Sequence, residues 1–312
     1  MFPDCRTQDD TFSCPTFDLI PSDVAGFMEE LWEFQSVFHD CGARREPRAH
    51  CLDSLVGHYR KLARKSIEPR ALQVEGGAVR GRQRCLSAVR WDEEQRLWLS
   101  HQLLADAMGA PEGVLMLDES GFGKKGQDSA GGARQYGGTL GKGEHGQVGV
   151  CVGEASRQGY ALADNRLFLP EVWWSAASAA RRTTCNVPAE LRLQSNPQWA
   201  ATMVQALAQE GLLPCKDVGA DGLYGKSPDC LDAVDACVGG TTLVALPADT
   251  RCWLQTPRTE EQTYREKGEV GSQRVVVAPG KAACPGATLA ARLPASSWDR
   301  RQVSEGTKGP LV

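Results

Sequence analysis

The stretch "VLMLDESGFGKKGQDSAGGARQYGG", residues 114–138, decides the fold. Its first four residues, 114–117, are continuously apolar, as expected for a strand covered on both faces. Asp118 then ends the strand, with Glu119 beside it. Lys124 and Lys125 follow in a glycine turn, and Arg134, Gln135 and Tyr136 come just beyond. A carboxylate at the mouth of a core, trailed by cations, fits the rim of an α/β sheet. There a rigid strand end presents side chains to an open crevice.

Working outward, "QVGVCVGEAS" and "GYALADNRLFLP" read as two more strands, joined by a turn around Arg157–Gly159. "PQWAATMVQALAQEGLL" (197–213) has the periodicity of a helix. "CKDVGADGLYG" is a short strand with a glycine-rich exit, "DCLDAVDACVG" a helix and "TTLVALPA" a strand. Three strands, helix, strand, helix, strand make an α/β core over 111–248, with the first three strands antiparallel. Residues 249–312 mix Pro, Gly and polar clusters with β-prone pieces such as "SQRVVVAPG", which predicts a β-rich tail.

Residues 1–110 read as a helical module. One helix is predicted over 21–40, with Phe27, Leu31, Phe34 and Phe38 on one face. A second, over 51–66, has Leu52, Leu55, Tyr59 and Leu62 on one side and Arg60, Lys61, Arg64 and Lys65 gathered on the other. A third, over 91–109, stops at Gly109 with Pro111 beyond.

Bulk composition narrows the function classes. A charged fraction of 24% and a hydrophobic fraction of 41% are ordinary for a globular protein. There is no apolar run of about 18 residues and no basic-then-apolar leader, so a cytoplasmic chain is expected. The 12 cysteines are scattered without a CxxC pair, which predicts reduced thiols filling the core and no structural zinc. The net charge of −4 hides an asymmetry. Residues 41–90 hold twelve Lys/Arg against four acids, enough to attract phosphate locally.

Asp118 and Asp221 stand 103 residues apart, each at a predicted strand end. If their strands are neighbours, the two carboxylates meet at one edge. Such a pair either shares a proton or holds divalent metal through hard oxygen ligands. The nearby cations favour metal and a phosphodiester. Taken singly, each Asp reads as a turn or cap residue. Trp173 and Trp174 read as core packing, and His145 as a loop residue. "GKGEHG" lacks the spacing of a phosphate-binding P-loop.

The segments "LMLDESGFGKKGQDSAGGARQYGGTLGK", "DNRLFLPEVW", "GADGLYGKSPDCLDAV" and "SEGTKGPL" together resemble bacterial insertion-sequence transposases, more narrowly the DDE superfamily endonucleases. The resemblance runs in order from about residue 40 to residue 312, and "RKSIEPRAL" fits that family's helical DNA-binding region. It implies a ribonuclease H-like core in which three acids hold two Mg²⁺ ions that cut DNA and join the freed 3′-OH elsewhere. Matched by motif, Asp118 is the first acid and Asp221 the second. Glu119 is given no metal role, because its side chain points to the other strand face.

The third acid of that family is a Glu on a helix beyond the "EGTKGPL" strand, whereas this sequence stops at Val312. The expectation is therefore a C-terminally truncated transposase with impaired catalysis and a strip of apolar surface left uncovered. "YREK" at Tyr264–Lys267 is a decoy in a polar loop. DNA contacts are expected from Arg60, Lys61, Arg64, Lys65, Lys124, Lys125, Arg134, Gln135 and Tyr136. The resemblance further implies double-stranded transposon ends as partner, assembly as a homo-oligomer and association with the nucleoid. Two other readings stay open: a non-catalytic DNA-binding remnant, and a hydrolase using the Asp pair on a non-nucleic substrate.

Overall fold

The computed structural model describes residues 20–311, apart from 43, 61, 63–64, 74–78, 88, 127–128, 138–141, 254–256, 267–268, 278–282, 298–303 and 307–308. Its first part is helical: α1 (Pro21–Val37), α2 (Arg45–Tyr59), α3 (Ile67–Leu72), α4 (Val79–Ser87) and α5 (Glu93–Met108). Helix α5 forms as its sequence dictates. The Asp92 carboxylate accepts the Gln95 N–H at 2.9 Å, and Glu93 and Glu94 occupy the first turn, where the helix dipole favours them. At the other end a Cβ on Gly109 would come within 2.5 Å of the Ala105 carbonyl, so only glycine fits.

Two expectations for this region are corrected. On α1 only Leu31 of the four predicted apolar positions is deeply buried; Phe27 and Phe34 stay exposed and stack edge-on against Tyr59 and Phe38. The helix expected over 51–66 ends at Tyr59. Arg60 is extended (ψ 145°), and the chain re-enters a helix only at Ile67. The reason is packing: Gly57 lies against the Arg70 side chain, where a Cβ would sit 3.0 Å away, and α3 crosses α2 at that point. Arg60 and Lys65 therefore lie in a connection rather than on a helix face, while Lys61 and Arg64 fall outside the described residues.

Next come β1 (Val114–Gly123), β2 (Ala133–Gly137), β3 (Lys142–Ala155), β4 (Tyr160–Phe168), α6 (Ala179–Thr184), α7 (Asn196–Glu210), β5 (Asp217–Ala220), α8 (Gly222–Gly225), α9 (Pro228–Asp235) and β6 (Thr242–Val244). This is the predicted element order, with β2 and two short helices added. The strands form one six-stranded sheet in the order β2-β3-β1-β5-β6, with β4 also paired to β3. Strand β2 runs antiparallel to the start of β3, from Ala133 opposite Gly146 to Gly137 opposite Lys142. Strands β5 and β6 are parallel, Val218 opposite Thr242. The sheet is mixed, and the fold is α/β.

Two compact units divide the chain: residues 1–116, 151–167 and 203–216 in one, 117–150, 168–202 and 217–312 in the other. Within the first, Leu115, Val152, Ala163, Met203, Val204 and Leu207 are buried. His101 on α5 bonds the Glu210 carboxylate through one ring nitrogen and the Ala163 carbonyl through the other. Within the second, Leu117, Val148, Val150, Val218, Tyr224 and Val234 are buried, and Trp173 has no exposed surface. The Trp173 indole N–H donates to the Gly132 carbonyl at 3.0 Å, and Arg181 stacks over its ring at 4.2 Å. Trp173 is thus a core residue, as its sequence position suggested.

After β6 come small antiparallel pairs: β7 (Arg251–Cys252) with β10 (Cys284–Pro285), β8 (Thr259–Glu266) with β9 (Glu269–Val276), and β11 (Ser304–Gly306) with β12 (Gly309–Leu311). Helix α10 (Gly286–Arg292) follows β10. Tyr264–Glu266 therefore belong to a strand, not to the expected polar loop. Among the described residues Cys41, Cys51, Cys85, Cys230, Cys237, Cys252 and Cys284 are free thiols, and no helix is long and apolar enough to cross a membrane.

Candidate active site

Strand β1 does not stop at Asp118, as the sequence reading expected, but continues to Gly123. Its alternation explains what each side chain does. Leu115 and Leu117 are buried on one face, whereas Met116, Asp118, Ser120 and Phe122 are exposed on the other. So one face of β1 is covered rather than both, and Asp118 sits in mid-strand on the open face. Its Oδ1 accepts the Glu119 backbone N–H at 2.8 Å.

Asp221 follows β5, the neighbour of β1 in the sheet. It caps α8, its Oδ1 accepting the Leu223 N–H at 2.8 Å. The modest role considered for it in the sequence, a cap, is thus filled. The capping bond uses one oxygen. Among the described residues neither Asp118 Oδ2 nor Asp221 Oδ2 has a hydrogen-bond partner, and both residues are exposed.

Glu119 joins the two from the other face of β1. Its Oε2 accepts the Tyr224 hydroxyl at 3.0 Å, and Tyr224 has no exposed surface. Partial burial raises the Glu119 pKa, the Tyr224 hydrogen bond works against that rise, and the charges of Asp221 and Asp118 add to it. Tyr224 is pushed far up, first by burial, then by Glu119, Asp118 and Asp221. Glu119 and Tyr224 thus both feel the charges of Asp118 and Asp221, and the four groups make one electrostatic cluster. Sequence reasoning missed Tyr224 altogether. Its signal was the spacing within "DGLYG", three residues after the capping Asp, where one helical turn swings the ring back toward the sheet.

Beyond β1 the predicted cations take separate positions. Lys124 and Lys125 are exposed, and the Lys124 backbone N–H bonds the His145 carbonyl at 2.9 Å. Arg134 is exposed on β2, directly opposite His145 on β3. His145 is therefore a strand residue, not the loop residue expected, and a ring nitrogen lies 3.1 Å from the Gly126 carbonyl. Gln135 spends its amide on the Gly131 and Gly146 carbonyls at 3.0 and 2.9 Å, bracing this corner. The Tyr136 side chain lies outside the described residues. In the helical part, Arg60 donates to the Gln73 carbonyl and Lys65 to the His58 carbonyl, both at 2.6 Å, and both residues are exposed.

The cluster has the chemistry of a hard-cation site. Mg²⁺ keeps several waters and takes one or two carboxylates together with substrate phosphate, so two open carboxylate oxygens fit it. Among the described residues no group of three or more His, Cys, Asp or Glu side chains could hold a metal ion.

A family model described as DDE superfamily endonuclease matches residues 34–310. The chain belongs to that family. The match runs from the end of α1 through the rest of the helical part, the sheet with Asp118 and Asp221, and the β-rich tail as far as Pro310. Membership implies DNA as substrate and a nuclease type of chemistry, for which family members generally use divalent metal. No curated protein matches the chain.

Proposed function

We propose that this endonuclease-family chain is a metal-dependent DNA transposase whose cation is held by Asp118 and Asp221. The observation that carries the reading is the adjacency of β1 and β5. It brings two carboxylates from distant parts of the sequence into one cluster, each with an oxygen to spare. The path β4-β3-β1-β5-β6 through the sheet supports a ribonuclease H-like core over 111–248. Residues 1–110 would then be the helical DNA-binding module and 249–312 a β-rich insertion.

When bound, Mg²⁺ supplies Lewis-acid polarisation of the scissile phosphodiester. The chain's own residues do the positioning. Backbone N–H groups fix one oxygen of each Asp, so the second oxygen of each has little freedom left. Lys124, Lys125 and Arg134 offer cations to the DNA backbone, and Arg60, Lys61, Arg64 and Lys65 extend that contact in the helical module. Gln135 and Tyr136 complete the set assigned to DNA, Gln135 by holding the β2–β3 corner in place.

Because the described residues supply two free carboxylates rather than three, turnover should be slow. The test is nicking of supercoiled plasmid with Mn²⁺ or Mg²⁺ by the wild-type chain, Asp118→Asn and Asp221→Asn. The expected result is slow nicking by the wild type that EDTA stops, a loss of at least about a hundredfold in either variant, and unchanged DNA affinity. Absence of wild-type nicking, or nicking that survives EDTA or Asp118→Asn, contradicts the proposal.

A further inference from the structure

Tyr224 is a fully buried phenol that, among the described residues, makes a single side-chain hydrogen bond, and that bond ends on Glu119. Each partner lies close in sequence to one of the two aspartates. Glu119 follows Asp118 on β1, and Tyr224 belongs to the four-residue helix that Asp221 caps. Helix α8 also packs against α9, β5 and β6. It is a single turn, closed by the Gly225 N–H on the Asp221 carbonyl at 3.0 Å. Its far side presses on the strand beyond, since a Cβ on Gly225 would meet the Ala245 carbonyl at 2.7 Å. The turn is thus held on one side by contact with residues 244–246 and on the other by the Tyr224 hydroxyl reaching back to β1.

We propose that the Tyr224–Glu119 hydrogen bond is a positioning tether that sets the separation of Asp118 and Asp221 for divalent-cation binding. Resting on the proposed function, the inference gives Glu119 a role other than ligand. Its carboxylate receives the phenol on the inner face of β1, while Asp118 offers its free oxygen on the outer face. Without the hydroxyl, α8 keeps its cap and its packing but loses the one bond that ties it to β1. Asp221 then samples a wider range of positions, and the two-point grip on the cation weakens. Partners that orient metal ligands in this way typically contribute about ten- to a hundredfold to affinity.

The experiment is Mn²⁺ titration of the full chain followed by electron paramagnetic resonance, with thermal melting alongside. Tyr224→Phe keeps the ring and removes the hydroxyl. It should weaken the Mn²⁺ site that Asp118→Asn abolishes by about tenfold. Glu119→Gln keeps an acceptor for the phenol and should bind like the wild type, whereas Glu119→Ala should match Tyr224→Phe. The Glu119 pair decides the matter even if Tyr224→Phe fails to fold. If Tyr224→Phe or Glu119→Ala binds Mn²⁺ as the wild type does, the tether is wrong and the Asp pair stands. If Glu119→Gln is as weak as Glu119→Ala, Glu119 is a ligand and the tether is again wrong. A wild type with no site sensitive to Asp118→Asn overturns both the tether and the function it rests on.

Discussion

Glu154, on β3, has no exposed surface, and neither of its oxygens finds a hydrogen-bond partner among the described residues. Burial raises its pKa. The folded state therefore keeps this proton to higher pH than the unfolded chain does, and the sign of the pH effect follows. A group whose pKa is higher folded than unfolded contributes stability that is fully present below the unfolded value. That stability is lost as pH rises through the folded value. Replacing the carboxyl by an apolar side chain of similar length removes the cost. Glu154→Met should stabilise the protein at neutral pH by about 1–3 kcal/mol, with a smaller gain at about pH 4, read from denaturant melts at the two pH values. Nothing in the local pattern marked this residue. "QVGVCVGEAS" reads as a strand either way, and burial of its Glu depends on which face the sheet covers.

At the scale of elements, Asp221 combines a structural and a chemical task that one substitution can separate. Asn caps helices as well as Asp does, so Asp221→Asn should leave the melting temperature almost unchanged while removing the charge. Asp221→Ala should cost about 1 kcal/mol of stability as well. Gly225 is constrained differently, by the approach of the Ala245 carbonyl rather than by its dihedral angles. Gly225→Ala should destabilise by about 1–3 kcal/mol in the same melts, because a backbone oxygen cannot move aside like a side chain.

Element type and order were legible because the signals are local. Asp92 and Gly109 bracket α5, and the apolar run 114–117 marks β1, although its one-sided burial was not foreseen. What escaped was tertiary. The break between α2 and α3 depends on Gly57 meeting Arg70, and the pairing of β8 with β9 joins two polar stretches whose periodicity is weak. The two aspartates were found in the sequence. The Tyr224–Glu119 link between them was not, since it needs the knowledge that β1 and β5 are neighbours.

Across the whole chain, charge is segregated along the sequence. Residues 1–40 carry nine acids and one Arg, and residues 41–90 carry twelve Lys/Arg against four acids. A net charge of −4 would by itself repel DNA, so binding must come from local cation groups and should be strongly salt-dependent. Affinity for a DNA duplex is expected to fall by about a hundredfold between about 50 and 200 mM salt, measured by fluorescence anisotropy. Near-flat salt dependence would remove the phosphate contacts assigned to Arg60, Lys61, Arg64, Lys65, Lys124, Lys125 and Arg134.

The proposed function turns on one claim, that Asp118 and Asp221 grip the same divalent cation. Iron(II) substituted for magnesium tests it most directly, because peroxide then generates hydroxyl radicals at the metal and cuts the polypeptide beside its ligands. The account predicts two sets of cuts, one next to Asp118 and one next to Asp221, both suppressed by excess Mg²⁺ and both lost in Asp118→Asn. Cuts beside only one of the two, or a pattern indifferent to Mg²⁺ and to Asp118→Asn, would contradict it.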